Sequence, residues 1–122
     1  MLREAALARG AALVIEVRLA GHTVFFCAMP GTVPAHADWV RRKRNTAELQ
    51  GVSSYAAGLA LRSEAGTLQD KFGLPARDYA AYGGSIALRS EDGLVWGCAT
   101  VSGLPQRDDH ELVAEVLQRW IG

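Results

Sequence analysis

The stretch from Gly93 to Trp120 constrains the fold of this 122-residue chain more than any other. Leu94-Val95-Trp96-Gly97-Cys98-Ala99-Thr100-Val101 is an uncharged apolar run, the pattern of a strand covered on both faces. Within it Gly97 and Ala99 share one face, and a strand that gives up side-chain volume there lets something approach its backbone closely. Ser102-Gly103-Leu104-Pro105 interrupts the strand, with Pro105 suited to a first helical position. Beyond Gln106 the apolar residues Leu112, Val113, Val116, Leu117 and Trp120 recur at helical spacing. Strand, tight loop and helix therefore follow one another in this segment.

One acid departs from that pattern. At roughly 100° per residue, Asp109 shares its direction with Val113, Val116 and Trp120, the side that packs inward. His110 sits at the edge of the same stripe. A carboxylate in a first helical turn is stabilised by the helix dipole and by free N–H groups, which is reason enough for Asp109. The functional reading is that Asp109, His110 and the Ser102-Gly103 loop line a polar pocket at the strand end, in one cleft with the glycine-lined strand.

The rest of the chain supplies a second hairpin and more helices. Leu2 to Arg9 reads as a short helix closed by Gly10. Ala12–Leu19 and Thr23–Met29 are strands joined by Ala20-Gly21-His22, a β-hairpin. A helix is expected from Ala35 or Asp38 to about Leu49, and a second from Ser53 or Ser54 to about Glu64. Residues 66–82 are the least regular, with a turn at Phe72-Gly73-Leu74-Pro75 and a short extended piece near Arg77 to Ala81. Ser85–Arg89 is a strand, turning at Glu91-Asp92-Gly93 into the strand described first. The order is hairpin, two helices, hairpin, helix. Two such hairpins share one antiparallel sheet when the fourth strand lies beside the first, which predicts an α/β (α+β) sheet of four to five strands with helices around it.

Length and charge set the remaining bounds. At this length residues 1–122 form one domain, burying about two-thirds of the unfolded surface. Thirteen basic and thirteen acidic side chains cancel, so no global field recruits nucleic acid or a membrane surface. Arg18, Arg89 and the Arg41–Arg44 cluster divide the apolar segments too often for a membrane span. Cys27 and Cys98 lie in strand-like runs, and two such thiols without a leader suit a reducing cytoplasmic compartment.

Several local patterns resemble the GlcG/HbpS-like proteins of the haem-degrading domain family, in an uncharacterised branch. They are Pro30-Gly31-Thr32, Trp39-Val40-Arg41-Arg42-Lys43-Arg44-Asn45, Ser53-Ser54-Tyr55, Asp78-Tyr79-Ala80-Ala81-Tyr82-Gly83-Gly84, and Thr100-Val101-Ser102-Gly103-Leu104-Pro105-Gln106 followed by Asp109-His110. The resemblance implies a profilin-like sheet, a symmetric homo-oligomer and, in some relatives, haem as ligand. Relatives of this branch carry a longer first helix, of which Leu2 to Arg9 would be the remaining turns.

The chemistry-bearing residues are few. His22, His36 and His110 form no i,i+3 or i,i+4 pair with another metal ligand, so no preformed zinc site is expected. Haem needs one axial ligand and an apolar slot, and His36 or His110 is of the right type. Neither cysteine sits at a helix start or beside a base, the settings that make a thiolate. Arg41 and Arg44 read as a solvated helix face. Lys43 lies on the Trp39 and Thr46 side, placed to pair with Asp109 or to meet an anionic group. No nucleophile–base or acid pair stands at useful spacing. The candidate ligand-binding set is therefore Lys43, Gly83, Gly84, Ser102, Gly103, Asp109 and His110, with no catalytic or metal-binding residue. Two functions compete: a small-ligand module for haem or another planar or anionic metabolite, or an oligomeric interaction scaffold whose apparent pocket is a subunit interface.

Overall fold

A computed structural model describes residues 1–121, and the side chains of residues 1–120. Nine elements follow in order: α1 (Leu2–Ala8), β1 (Val14–Leu19), β2 (His22–Ala28), α2 (Pro34–Gln50), α3 (Ser54–Ser63), α4 (Leu68–Phe72), β3 (Ser85–Arg89), β4 (Val95–Ser102) and α5 (Gln106–Ile121). All strand pairs are antiparallel, and the sheet order is β2-β1-β4-β3. The fourth strand thus lies beside the first, and the two apolar strands fill the centre. No described helix is long and apolar enough to cross a membrane.

Strand alternation sorts side chains between two layers. Ile15, Ala99 and Val101 face α1 and α5, forming a core with Leu2, Ala6, Leu13, Leu112, Val113 and Val116. Glu16 and Thr100 point to the opposite face, covered by α2 and α3. That second face is polar inside. The Ser54 hydroxyl accepts from Ser85 N–H at 3.0 Å, and the Ser85 and Thr100 hydroxyls meet at 2.8 Å. This chain pins the start of α3 to the central strands.

Capping chemistry sets the helix ends. Pro34 occupies the first turn of α2, and Gly51 closes it with φ +69°. Ser53 caps α3 by accepting from Ala56 N–H at 3.0 Å. The hairpin turn between β1 and β2 carries positive φ at both central residues, +51° at Ala20 and +81° at Gly21, as a type I′ turn requires. Alanine is a poor occupant of that conformation. Ala20→Asn should therefore raise stability by about 0.5–1 kcal/mol and Tm by about 2–4 °C in thermal unfolding, while Ala20→Val lowers both.

Three expectations are corrected. Residues 77–81 form no strand: Ala76–Asp78 make a turn, with Asp78 and Tyr79 N–H both donating to the Pro75 carbonyl. The turn is held by α2, through Arg41 to Asp78 and the Arg77 carbonyl, Arg42 to the Ala76 carbonyl, and Asn45 to the Asp78 carbonyl. A short helix, α4, precedes it, capped by Thr67 and closed by Gly73. Arg44 is not a solvated side chain either. It reaches the sheet and pairs with the buried Glu16 at 3.1 Å, with Glu48 beside it. Trp120 is exposed, unlike Val113 and Val116 of the same stripe.

Candidate functional site

The central pair of the site is assembled from two helices on opposite faces of the sheet. Val40, Lys43 and Ala47 form the buried stripe of α2, at the i, i+3, i+7 spacing of one face. That stripe drives Lys43 into the interior, where its residue exposure is 3%. On the other side, Asp109 in the first turn of α5 is 1% exposed. The two meet at the end of β4, with Lys43 Nζ 3.0 Å from Asp109 Oδ2. The ammonium also donates to the Val101 carbonyl at 3.3 Å. The other carboxylate oxygen of Asp109 accepts from Leu104 N–H at 3.0 Å. Asp109 thus ties down the loop before its own helix and pairs with a buried lysine.

Burial dominates the electrostatics of this pair. It pushes the Lys43 pKa down and the Asp109 pKa up, and in each case the partner's charge opposes the shift only partly. Burial similarly pushes the Cys98 thiol up to about 11, against the weaker help of Thr100, so this cysteine is an inert core residue.

The pair floors a cavity of about 290 Å³, lined by His36, Trp39, Lys43, Tyr82, Ser102, Gly103, Leu104, Gln106 and Asp109. Trp39 and Tyr82 form one wall, their rings edge to face with centroids 5.7 Å apart, and Arg42 covers the Trp39 ring at 4.4 Å. Four of the seven residues picked from the sequence line this space: Lys43, Ser102, Gly103 and Asp109. Gly83 and Gly84 lie behind it. Gly83 N–H donates to Gln106 Oε1 at 2.8 Å, and a Cβ on Gly84 would stand 2.8 Å from Lys43 Nζ. His110 turns away to stack on Tyr55, with centroids 4.8 Å apart, its Nδ1 buried without a partner among the described residues. Gly97 does not share the cleft: it pairs with Leu19 and Leu88 toward the other end of β4, where its backbone packs against Arg18. His36, Trp39, Tyr82, Leu104 and Gln106 complete the lining. Of these, Trp39, Tyr82, Leu104 and Gln106 stood in the motifs that carry the family resemblance but were not picked as ligand contacts.

A second and larger space lies on the other face of the sheet. It is a groove of about 820 Å³ lined mainly by apolar side chains, among them Leu19, Phe25, Ile86, Leu88, Trp96 and Trp120. No group of three His, Cys, Asp or Glu residues able to hold a metal ion occurs among the described residues.

Comparison with known proteins fits this architecture. Residues 1–118 match the family model described as haem degrading protein HbpS-like. A UPF0303 protein of Paraburkholderia phymatum is 50% identical over 121 residues, covering 99% of this chain and 73% of the relative. The crystal structure of Ybr137w superposes with a TM-score of 0.83 at 26% identity, over 98% of this chain and 73% of that one. A crystal structure of a PduOC:Heme complex shares the fold, with a TM-score of 0.77 at 18% identity over 93% of this chain and 81% of that one.

Proposed function

Since the chain belongs to the haem degrading protein HbpS-like family, we propose that it is a small-ligand-binding module, with its ligand held in the cavity over the Lys43–Asp109 pair. One observation carries this reading. A buried ion pair whose members are both shifted toward their neutral forms costs the fold stability, and here it floors an open cavity with aromatic walls. Such local conflict with stability is characteristic of functional positions.

Haem enters through a relative, the PduOC:Heme complex, and has to be tested against these residues. The cavity of about 290 Å³ lies at the bottom of the range that drug-sized ligands fill and is too small for a whole tetrapyrrole. His36 lines it, but Val33 N–H donates to its Nδ1 at 3.0 Å, so the neutral ring carries its proton on Nε2 and offers no lone pair there. The apolar groove has the volume for a macrocycle. No histidine, cysteine or tyrosine lines it, and Met1 is its one side chain of axial-ligand type. On the side chains of one copy of the chain, the Lys43 cavity offers haem iron no ligand, and the groove offers Met1 alone.

The test is a titration of the 15N-labelled protein, reading the Trp39 indole N–H, with a small-molecule extract of bacterial cytosol in one series and haemin in another. The reading expects a saturable shift of the Trp39 signal from the extract, and no haemin Soret shift that depends on His36 or His110. A stoichiometric Soret shift lost on replacing either histidine reassigns the ligand to haem. No response of Trp39 to any fraction overturns the reading altogether.

A second reading has its own observation. β2 is an edge strand, and its Val24, Phe25 and Phe26 are exposed at 56%, 44% and 52%. An unpaired apolar edge is a template for another strand, and a second copy of the chain satisfies it by antiparallel pairing about a two-fold axis. Homo-oligomer formation through β2 accompanies ligand binding in this proposal. Light scattering checks it, with Phe25→Lys combined with Phe26→Glu expected to reduce the assembly mass.

A further inference from the structure

The hydrogen-bonding polarity of the Lys43 cavity goes one step further and specifies the class of its ligand. This step rests on the reading that the cavity is the binding site. Two of its side chains, His36 and Gln106, each own one acceptor and at least one donor. In both, a backbone N–H has claimed the acceptor. Val33 N–H donates to His36 Nδ1 at 3.0 Å, and Gly83 N–H donates to Gln106 Oε1 at 2.8 Å. Because a backbone N–H can only donate, these contacts fix the His36 tautomer and the Gln106 amide orientation. On these two lining residues the donors left without a protein acceptor, among the described residues, are the His36 Nε2–H and the Gln106 amide N–H groups.

Lys43 adds to the same sign. Its ammonium has three protons, and the structure gives it two acceptors, Asp109 Oδ2 and the Val101 carbonyl. The one carboxylate of the cavity is already engaged at both oxygens, by Lys43 and by Leu104 N–H. Among the lining side chains the acceptors left for a donor-bearing guest are neutral, chiefly the Ser102 and Tyr82 hydroxyl oxygens. The Trp39 and Tyr82 rings form the wall beside these donors, suited to a flat apolar surface.

We infer that the cavity takes a small organic acid, its carboxylate accepting from Lys43, His36 and Gln106 and its flat apolar part lying against Trp39 and Tyr82. An ionised acceptor gains about twice as much per hydrogen bond as a neutral one, which favours the acid over the corresponding amide. The cavity volume of about 290 Å³ limits the ligand to a small molecule.

Three aromatic probes of similar size and different charge (benzoate, benzamide and benzylamine), with inorganic phosphate as a fourth, test this, each titrated into the full 15N-labelled chain. The readouts are the side-chain signals of Trp39, His36 and Gln106. Benzoate is expected to move all three together and saturably. Benzamide and benzylamine should bind at least tenfold more weakly, and His36→Leu should weaken benzoate about tenfold, with Tm lowered by a few degrees for the lost bond to Val33 N–H. Preference for benzamide or benzylamine at the same signals overturns the acid assignment and leaves the cavity as the site. Preference for phosphate replaces the carboxylate by a tetrahedral anion and also overturns it. If the cytosolic extract shifts Trp39 while none of the four probes does, the acid inference fails alone. If neither the extract nor any probe moves these signals, the binding-site reading fails with it.

Discussion

Replacing Lys43 by methionine together with Asp109 by asparagine leaves the protein as stable or makes it more stable, by up to about 2 kcal/mol, and abolishes the response of Trp39 to ligand. The gain follows from the direction in which burial displaces both groups. Replacing a buried ion pair by well-packed apolar residues of similar volume is often neutral or stabilising by about 1–4 kcal/mol, and the asparagine amide N–H groups, left without the lysine, take back part of that gain. Asparagine keeps an oxygen for the Leu104 N–H that Asp109 now holds at 3.0 Å, so the loop before α5 keeps its anchor. For a chain of this length about 4 °C of Tm accompanies each kcal/mol, so the rise is at most about 8 °C.

The pH dependence carries the same sign. Asp109 has a folded pKa above its unfolded one, so its contribution is present at acid pH and is lost as pH rises through the folded value. Lys43 has a folded pKa below its unfolded one, so stability returns as pH rises from that folded value toward about 10.4. The wild-type chain is thus least favoured between the two titrations. The advantage of the double variant should be greatest near neutral pH and shrink toward both extremes. Chemical denaturation of both proteins across pH checks this, and a double variant less stable than wild type at neutral pH would overturn it.

Much of the fold was legible because its signals are local. β4 is an uncharged run between turn residues, the β1–β2 hairpin is marked by Ala20-Gly21, and the breaks at Gly31, Gly51 and Gly103 all carry positive φ. The short helix α4 was not legible. It has five residues and one buried side chain, Leu68, too little for any period to show. The turn at Ala76–Asp78 escaped for another reason: it is shaped by Arg41, Arg42 and Asn45, more than thirty positions earlier. Arg44 looked solvated because a helical wheel records direction, and the Glu16 that receives it lies on a strand.

The candidate site divides along the same line. Asp109 was conspicuous as an acid on an apolar stripe, and Lys43 as the one basic residue of its cluster on the Trp39 side. Both depend only on helix geometry. That His36 and Gln106 would give up their acceptors could not be read from spacing, since the donors, Val33 and Gly83, are backbone groups. His110 shows the converse. Its position beside the stripe suggested the pocket, and stacking on Tyr55 took it elsewhere. Gly97 and Gly84 looked alike as glycines near strands, but one packs against Arg18 and the other against Lys43.

That difference makes Gly84 the position where a single methyl group does the most damage to the site. Gly84 has φ +138°, a conformation that L residues rarely adopt. Its carbonyl accepts from Val101 N–H at 2.9 Å, so the backbone there is fixed against β4. A Cβ would stand 2.5 Å from the Val101 carbonyl oxygen and 2.8 Å from Lys43 Nζ. The first contact is backbone and cannot swing away, and the second displaces the ammonium from the carbonyl it bonds. Backbone strain and overpacking each cost about 1–3 kcal/mol, so Gly84→Ala should lower stability by about 3–5 kcal/mol and Tm by about 12–20 °C. Gly66→Ala is the matched control, because nothing lies within 4 Å of its added methyl and its φ is not in the left-handed range. It should be neutral or stabilising by up to about 1 kcal/mol. At temperatures where Gly84→Ala remains folded, its Trp39 signal should no longer respond to benzoate, whereas Gly66→Ala responds as wild type does. Equal stability of the two variants would show that the approach of β3 to Lys43 is looser than these distances require, and would remove the steric basis for the shape of the cavity floor.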